Sequence, residues 1–118
     1  MGKKIIALIG KDSLVKNISF ELQKKGFTKI SVVDQVKSIS KHFLSEEELK
    51  KDIMIKKIRD NAYKINRHYW INILLSSIKD NDYIVIEDMQ EEDVIKDVME
   101  VYRVSDNNFE DVKKNIFS

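Results

Sequence analysis

The sequence predicts a single α/β domain, a mostly parallel sheet of about four strands with helices on both faces. Short apolar runs alternate along the chain with longer segments in which apolar residues recur every three or four positions. Strands that alternate with helices in this way form parallel sheets. The 118 residues, 42% of them hydrophobic, are enough for one core, and no linker or repeat divides residues 1–118.

Four apolar runs predict the strands. The first, from Lys4 to Ile9, is continuously apolar, which is typical of a strand buried on both faces of a parallel sheet. The other three are shorter and cover residues 29–33, 83–87 and 101–104.

The segments between the runs have helical spacing and helix-end signals. Leu14, Ile18 and Leu22 share one face of a predicted helix over residues 13–25, and Gly26 is suited to end it. Further helices are predicted over residues 35–44, with Asp34 as cap, and over residues 45–62, with a Ser45/Glu48 capping box. Three more are predicted over residues 67–79, over residues 90–99 and from Asn107 onward. A break is expected near residues 64–66 and a turn at residues 80–82.

Composition limits the classes of function. The 21 basic and 20 acidic residues give a net charge of +1, so charge offers no support for a nucleic-acid partner or a membrane surface. There is no cysteine, and no apolar run approaches the length of a membrane span. We therefore expect a cytoplasmic protein. Heavy use of Lys, Ile, Asn and Asp indicates an AT-rich genome, such as that of a phage or its low-GC host, whose cytoplasm would then be the location.

A damaged phosphate-binding pattern follows the first strand. In the pattern Gly-x4-Gly-Lys-Ser/Thr, backbone N–H groups wrap phosphate oxygens, the lysine reaches the outer phosphates and the hydroxyl holds Mg²⁺. Gly10 and Lys16 have the required spacing, but Val15 replaces the second glycine and Asn17 replaces the hydroxyl residue. A β-branched residue resists positive φ and keeps the backbone away from a ligand.

Two other segments are expected to meet this pattern in space. Ligands of parallel α/β sheets bind at the carboxyl ends of the strands. In this chain those ends are the segment Gly10–Lys16, residues 33–34 and residues 87–90, which are far apart in sequence.

With these segments placed, the chain resembles the deoxynucleoside monophosphate kinases of large phages and their bacterial relatives over most of its length. The matching segments are Gly10 to Lys16, Ser31 to Lys37 with Asp34 and Lys37, Arg59, Asn66 to Trp70 with Tyr69-Trp70, and Tyr83 to Asp93. The resemblance implies a three-layer P-loop-kinase-like fold with strand order 2-3-1-4. It also implies a vestigial nucleotide site made of Gly10, Lys11, Lys16, Asp34, Arg59, Arg67 and Glu87.

Departures from the family fall on its chemistry. Met89 stands where the family has an arginine that would clamp phosphates, and Glu87 replaces an aspartate. The basic lid and the fifth strand are missing after Val104. Phosphoryl transfer depends on positioned cations around the transferring group. We therefore expect no catalytic residue and no cofactor, the alternative being ATP with Mg²⁺.

Several residues keep two interpretations. Lys16 either binds phosphate or is a solvated lysine, and the acidic run from Glu87 to Asp93 either coordinates Mg²⁺ or complements a helix N-terminus. Tyr69 and Trp70 are expected in the core. A basic set either grips a nucleotide or nucleic-acid backbone or is a solvated helix face: Lys56, Lys57, Arg59, Lys64, Arg67 and His68.

The functional expectation is an inactive nucleotide-kinase-like protein that binds another macromolecule, such as a phage inhibitor of a host enzyme or defence system. The alternative is a divergent nucleotide-binding protein or a weak nucleoside monophosphate kinase. Without a fifth strand, Val101, Tyr102 and Arg103 are expected to form an edge that pairs with a protein partner or a second copy, unless the last helix covers it.

Overall fold

The computed structural model describes residues 3–79 and 82–118, and within them it forms a four-stranded sheet between two helical layers. The strands are β1 (Lys4–Gly10), β2 (Thr28–Ile30), β3 (Tyr83–Ile86) and β4 (Glu100–Val104). The helices are α1 (Asp12–Lys24), α2 (Val32–Ser40), α3 (Glu46–Leu49), α4 (Asp52–Ile65), α5 (Tyr69–Ser76) and α6 (Phe109–Phe117). None of the helices in this described part has the length and apolar character needed to span a bilayer.

All three strand pairings are parallel, in the order β2-β3-β1-β4. The parallel sheet and its strand order were predicted from the sequence and are confirmed. The carboxyl ends of β1 and β3 lie side by side, with Ala7 opposite Ile86. The candidate segments that follow these strands therefore lie along one rim of the sheet.

Alternating side chains of the strands fill two cores. Ile5 and Ala7 of β1 pack toward α2, α4 and α5. Ile6 and Leu8 pack toward α1 and α6, where Val112 of α6 is buried. Because α6 lies on this face of the sheet, it packs beside α1 and does not run along the outer edge of β4.

Backbone geometry leaves few free groups on the outer edge of β4. The Lys11 N–H donates to the Val104 carbonyl (3.4 Å), so Val104, and with it Tyr102, directs its backbone groups toward β1. Val101 and Arg103 therefore direct theirs outward. The side-chain amide of Asn108 donates to the Arg103 carbonyl at 2.8 Å and occupies one of these outward groups.

The predicted helix over residues 90–99 is wrong. A 3₁₀ turn occupies Glu91–Asp93, and irregular chain follows it up to β4. The cause is Asp93, which lies in the protein interior, fully buried and bonded to Arg59. Val94 and Ile95 then pack on the core beside α2, α4 and α5.

Three smaller predictions are also corrected. The cap of α2 is Ser31 and not Asp34, so Val32 and Val33 belong to the helix and not to β2. The predicted helix over residues 45–62 divides into α3 and α4, because Lys51 is extended. In contrast to these corrections, the predicted break near residues 64–66 is confirmed, since α4 ends at Ile65. Of the predicted turn at residues 80–82, residues 80 and 81 lie outside the described part.

Candidate functional site

The connection from β1 to α1 is a single residue, Lys11. α1 begins at Asp12, so Val15 and Lys16 are helical, and Val15 is fully buried beneath the helix. Gly10 has φ +144°, and a Cβ at this position would overlap the carbonyl oxygen of Val104. The backbone here leaves no multi-residue loop whose N–H groups could surround a phosphate.

The two lysines of this segment pair with carboxylates of the chain itself. Lys11 Nζ lies 3.2 Å from Asp106, and Lys16 Nζ lies 3.1 Å from Asp12 one helical turn away. Both pairs are largely exposed, so each contributes little and can rearrange.

The N-terminus of α2 is occupied by a carboxylate from the rim of the sheet. Asp88, just after β3, accepts from the N–H groups of Val32 (2.9 Å) and Val33 (3.0 Å) and from the Ser31 hydroxyl (2.6 Å). Ser31 in turn accepts from the Asp34 N–H, and the Asp34 side chain is exposed. The N-terminus of a helix favours an anion, and here the protein supplies its own. A nucleotide phosphate would have to displace Asp88.

Arg59 is the centre of a buried polar cluster. Its guanidinium donates to the Asp93 carboxylate (2.7 Å), to the Asp88 carbonyl (2.8 Å) and to the Tyr63 hydroxyl (2.8 Å). The Tyr63 hydroxyl donates to the second Asp93 oxygen at 2.8 Å, and the Gln90 N–H also bonds to Asp93. Both Asp93 oxygens, the Tyr63 hydroxyl and the Nε and Nη2 groups of Arg59 thus have partners within the fold.

Burial and pairing change the acidity of this cluster in opposite ways. Burial raises the pKa of the Tyr63 hydroxyl well above its ordinary value, although the Arg59 cation opposes that shift. Burial disfavours the charged form of Arg59, but the bonds to Tyr63 and Asp93 outweigh it and raise the Arg59 pKa. Arg59 is therefore a structural cation whose charge is already balanced.

The remaining site residues lie further along the same rim. Arg67 donates to the Glu91 carbonyl at 3.0 Å, and Glu91 makes a two-pronged ion pair with Arg103 (2.7 and 2.8 Å). Hydrogen bonding to Arg103 holds the pKa of the Glu91 carboxyl below its usual range. Glu87 lies 3.7 Å from Lys29 on β2. In residues 3–79 and 82–118, no group of three or more His, Asp or Glu side chains is arranged to hold a metal ion.

A shallow cavity of about 280 Å³ opens between α2 and α4 near this rim. It is lined by Val33, Asp52, Ile55, Lys56, Arg59 and Gln90. Its only exposed cation, Lys56, bonds to Asp60 at 2.9 Å. Its volume is just below the range of about 300–1,000 Å³ that is typical of ligand pockets.

The structure brings together part of the set suggested by the sequence. Arg59, Arg67 and Glu87 lie along the rim with the Asp88–Asp93 segment, whereas Lys16 and Asp34 point into solvent. Met89 is buried in the core beneath α2, α4 and α5. Trp70 is buried as predicted, but the prediction that Tyr69 lies in the core is wrong, because Tyr69 is exposed at the surface.

Sequence reasoning missed three residues that organise the rim: Ser31, Tyr63 and Asp88. Tyr63 stands four residues after Arg59 on the same helix, a spacing that places the two side chains together and was available as a signal. Asp88 reaches a helix 57 positions away in the chain, and no local pattern indicates such a contact.

A scan against protein-family models finds no match for the chain, and a search of curated proteins finds none either. The geometry of the rim is therefore the basis for any functional conclusion.

Proposed function

We propose that the chain is a catalytically inactive protein with a nucleotide-kinase-like fold that acts by binding another macromolecule. One observation carries the proposal. The chain's own carboxylates occupy the two groups of the rim that would attract an anion: Asp88 bonds to the N-terminal N–H groups of α2, and Asp93 pairs with the buried Arg59.

The chemistry of phosphoryl transfer supports the same proposal. Transfer needs a phosphate cradle and cations that neutralise developing charge. The one-residue connection at Lys11 offers no cradle, and the helix end that favours anions holds Asp88. Met89, which stands where the resemblance implies a phosphate-clamping arginine, is buried. A phosphate entering the rim would also meet the carboxylate of Glu92 beside Arg67, which repels it.

For the biological setting we propose a phage protein that inhibits a host enzyme or defence system in the host cytoplasm. The support is the AT-rich composition and a fold retained without its chemistry. Folds are commonly reused for interaction once their sites are lost.

The decisive experiment is an assay of phosphoryl transfer. ADP release is followed with Mg·ATP and each of the four deoxynucleoside monophosphates, for the wild-type chain and for Lys16→Ala. We expect no turnover in either. A rate of about 1 s⁻¹, the low end for kinases, that disappears in Lys16→Ala would overturn the proposal.

A second candidate is a divergent nucleotide-binding protein or weak nucleoside monophosphate kinase, favoured by the cavity beside Val33 and Lys56. A ligand at a hundred times its Kd would raise the free energy of unfolding by about 2.7 kcal/mol. That corresponds to an increase of several degrees in Tm for a domain of this size. Under our proposal millimolar ATP leaves Tm unchanged, and a shift of that size reduced by Lys56→Ala would favour the second candidate.

A further inference from the structure

An apolar groove lies on the face of the helical layer away from the sheet, between α2, α4 and α5. Its walls are Ile39 and Phe43 on one side, Ile58, Ala62 and Ile65 on the other, and Tyr69 at one end. The groove has a volume of about 300 Å³, and Trp70 contributes to its floor. It lies on a different face from the rim cavity near Gln90, and the two share no lining residue.

Large apolar side chains are concentrated here beyond what a monomer surface needs. Ile65 is 91% exposed and Phe43 is 62% exposed. Of the exposed apolar residues outside the groove, Ile53 stands at the start of α4, and Phe20 lies beneath the Lys24 ammonium, 4.5 Å from the ring centre. A contiguous exposed apolar groove indicates an interaction site, whereas isolated exposed residues do not.

The groove is built from side chains of α2, α4 and α5 and from Phe43 in the turn after α2, and it offers no free backbone ladder. Ile58, Ala62 and Ile65 follow one another along α4 at intervals of four and three residues, which makes an apolar ridge about two turns long. A partner strand needs unpaired N–H and C=O groups at a sheet edge, but an amphipathic helix needs only an apolar groove. The shape therefore fits a helix.

The charges beside the groove indicate which charges a bound helix should carry. Within two positions of the wall residues there is a single acidic residue, Asp60, and it bonds to Lys56. Lys57 and Lys64 occupy the row of α4 next to the apolar ridge, and both are exposed. In the described part of the chain neither lies within ion-pair distance of a carboxylate, and the same holds for Lys37, Lys41 and Arg67.

We propose that this groove binds an amphipathic helix of a partner protein whose apolar stripe is flanked by acidic side chains. The proposal rests on the proposed function, since it names the kind of macromolecule that is bound. Two copies of this chain joined groove to groove about a two-fold axis would bring Lys57 and Lys64 against the same lysines of the second copy, which opposes self-association.

The chain provides its own reporter and matched variants. Trp70 is the only tryptophan and lies in the groove floor in edge contact with Tyr69, so its emission responds to an occupant. Ile65→Gln removes an exposed wall residue. Ile53→Gln makes the same change at a 69% exposed isoleucine of the same helix that does not line the groove. Lys64→Glu tests the charge, with Lys114→Glu on α6 as its control.

The probe is a synthetic amphipathic helix of about five turns with a leucine stripe flanked by glutamates and without tryptophan. A second peptide carries lysines in place of the glutamates. We expect the acidic peptide to change Trp70 emission with a Kd below about 1 mM. The lysine peptide should bind at least about tenfold more weakly, and Ile65→Gln should weaken the acidic peptide about tenfold. Lys64→Glu should also weaken it, and Ile53→Gln and Lys114→Glu should not.

Four results would overturn the inference. The first is that the acidic peptide does not bind at millimolar concentration. The second is that Ile65→Gln and Ile53→Gln have equal effects. The third is that the protein binds only to phosphatidylcholine vesicles containing about one-third phosphatidylserine, which would indicate a membrane surface. The fourth is a dimeric mass that Ile65→Gln makes monomeric. Phosphoryl transfer found together with intact peptide binding would overturn the proposed function alone, and absent binding without transfer would overturn this inference alone.

Discussion

The ion pair between Arg59 and Asp93 is buried, so a change of one side-chain atom in Asp93 is expected to lower the free energy of unfolding. Removing one partner of a buried pair leaves an uncompensated charge and costs about 3–5 kcal/mol. We expect Asp93→Asn, which keeps the size of the side chain and removes its charge, to lower the free energy of unfolding by an amount in this range, measured by urea denaturation. Glu92→Gln is the control, because Glu92 is not buried, and it should change stability by less than about 0.5 kcal/mol. Equal effects of the two variants would mean that Arg59 does not depend on Asp93.

Tyr63 makes the same cluster sensitive to alkali. Its pKa is raised by burial, so the folded state keeps the proton at a pH where the unfolded state releases it. This contribution to stability is complete below about pH 10, the ordinary tyrosine pKa, and is lost as the pH rises above it. We expect the unfolding free energy of the wild type to fall more steeply above about pH 10 than that of Tyr63→Phe. The lysines contribute the same pH dependence to both proteins. If the free energy of unfolding fell equally steeply with pH in both, the prediction would be wrong.

At the scale of elements, the close approach of β1 and β4 at Gly10 explains why the phosphate-binding pattern has no loop. Any Cβ at Gly10 meets the Val104 carbonyl, and the positive φ adds strain. We expect Gly10→Ala to destabilise the fold by about 3 kcal/mol or more in thermal denaturation. Gly26→Ala, at φ +101° with nothing within 4 Å, separates the two causes and should cost only about 1–2 kcal/mol. Similar losses for both would show that β4 can move away from Gly10.

The elements also show what local sequence can and cannot predict. The strands and the parallel sheet were predictable from the apolar runs that alternate with helical segments, whereas the strand order came from the resemblance and not from the residue pattern. The split between α3 and α4 was not, since neither glycine nor proline marks Lys50 and Lys51. The segment from Glu91 to Asp93 reads as a helix locally but is held by the ion pair to Arg59, 34 positions away. The bonds from Asp88 to the first N–H groups of α2 were not predicted for the same reason.

At the scale of the whole molecule, the outer edge of β4 offers fewer free backbone groups than the sequence suggested. With the Arg103 carbonyl bonded to Asn108, the outward groups are those of Val101 and the Arg103 N–H. Two copies joined there would form few hydrogen bonds. We expect a monomeric mass by light scattering at micromolar concentration. If the mass is dimeric, Arg103→Pro removes an outward donor and tests the edge, whereas Tyr102→Pro breaks the ladder to β1 and should unfold the sheet.

The bond from Asp88 to α2 also bears on the order in which the chain folds. α2 has nine residues, fewer than an isolated helix needs to be stable in water. Its first two N–H groups find their acceptor 56 and 55 positions later in the chain, so the helix is complete only when β3 has joined the sheet. During synthesis, residues 32–40 leave the ribosome well before residue 88. α2 must therefore wait for β3, and long-range closure of this kind is typical of slow folding.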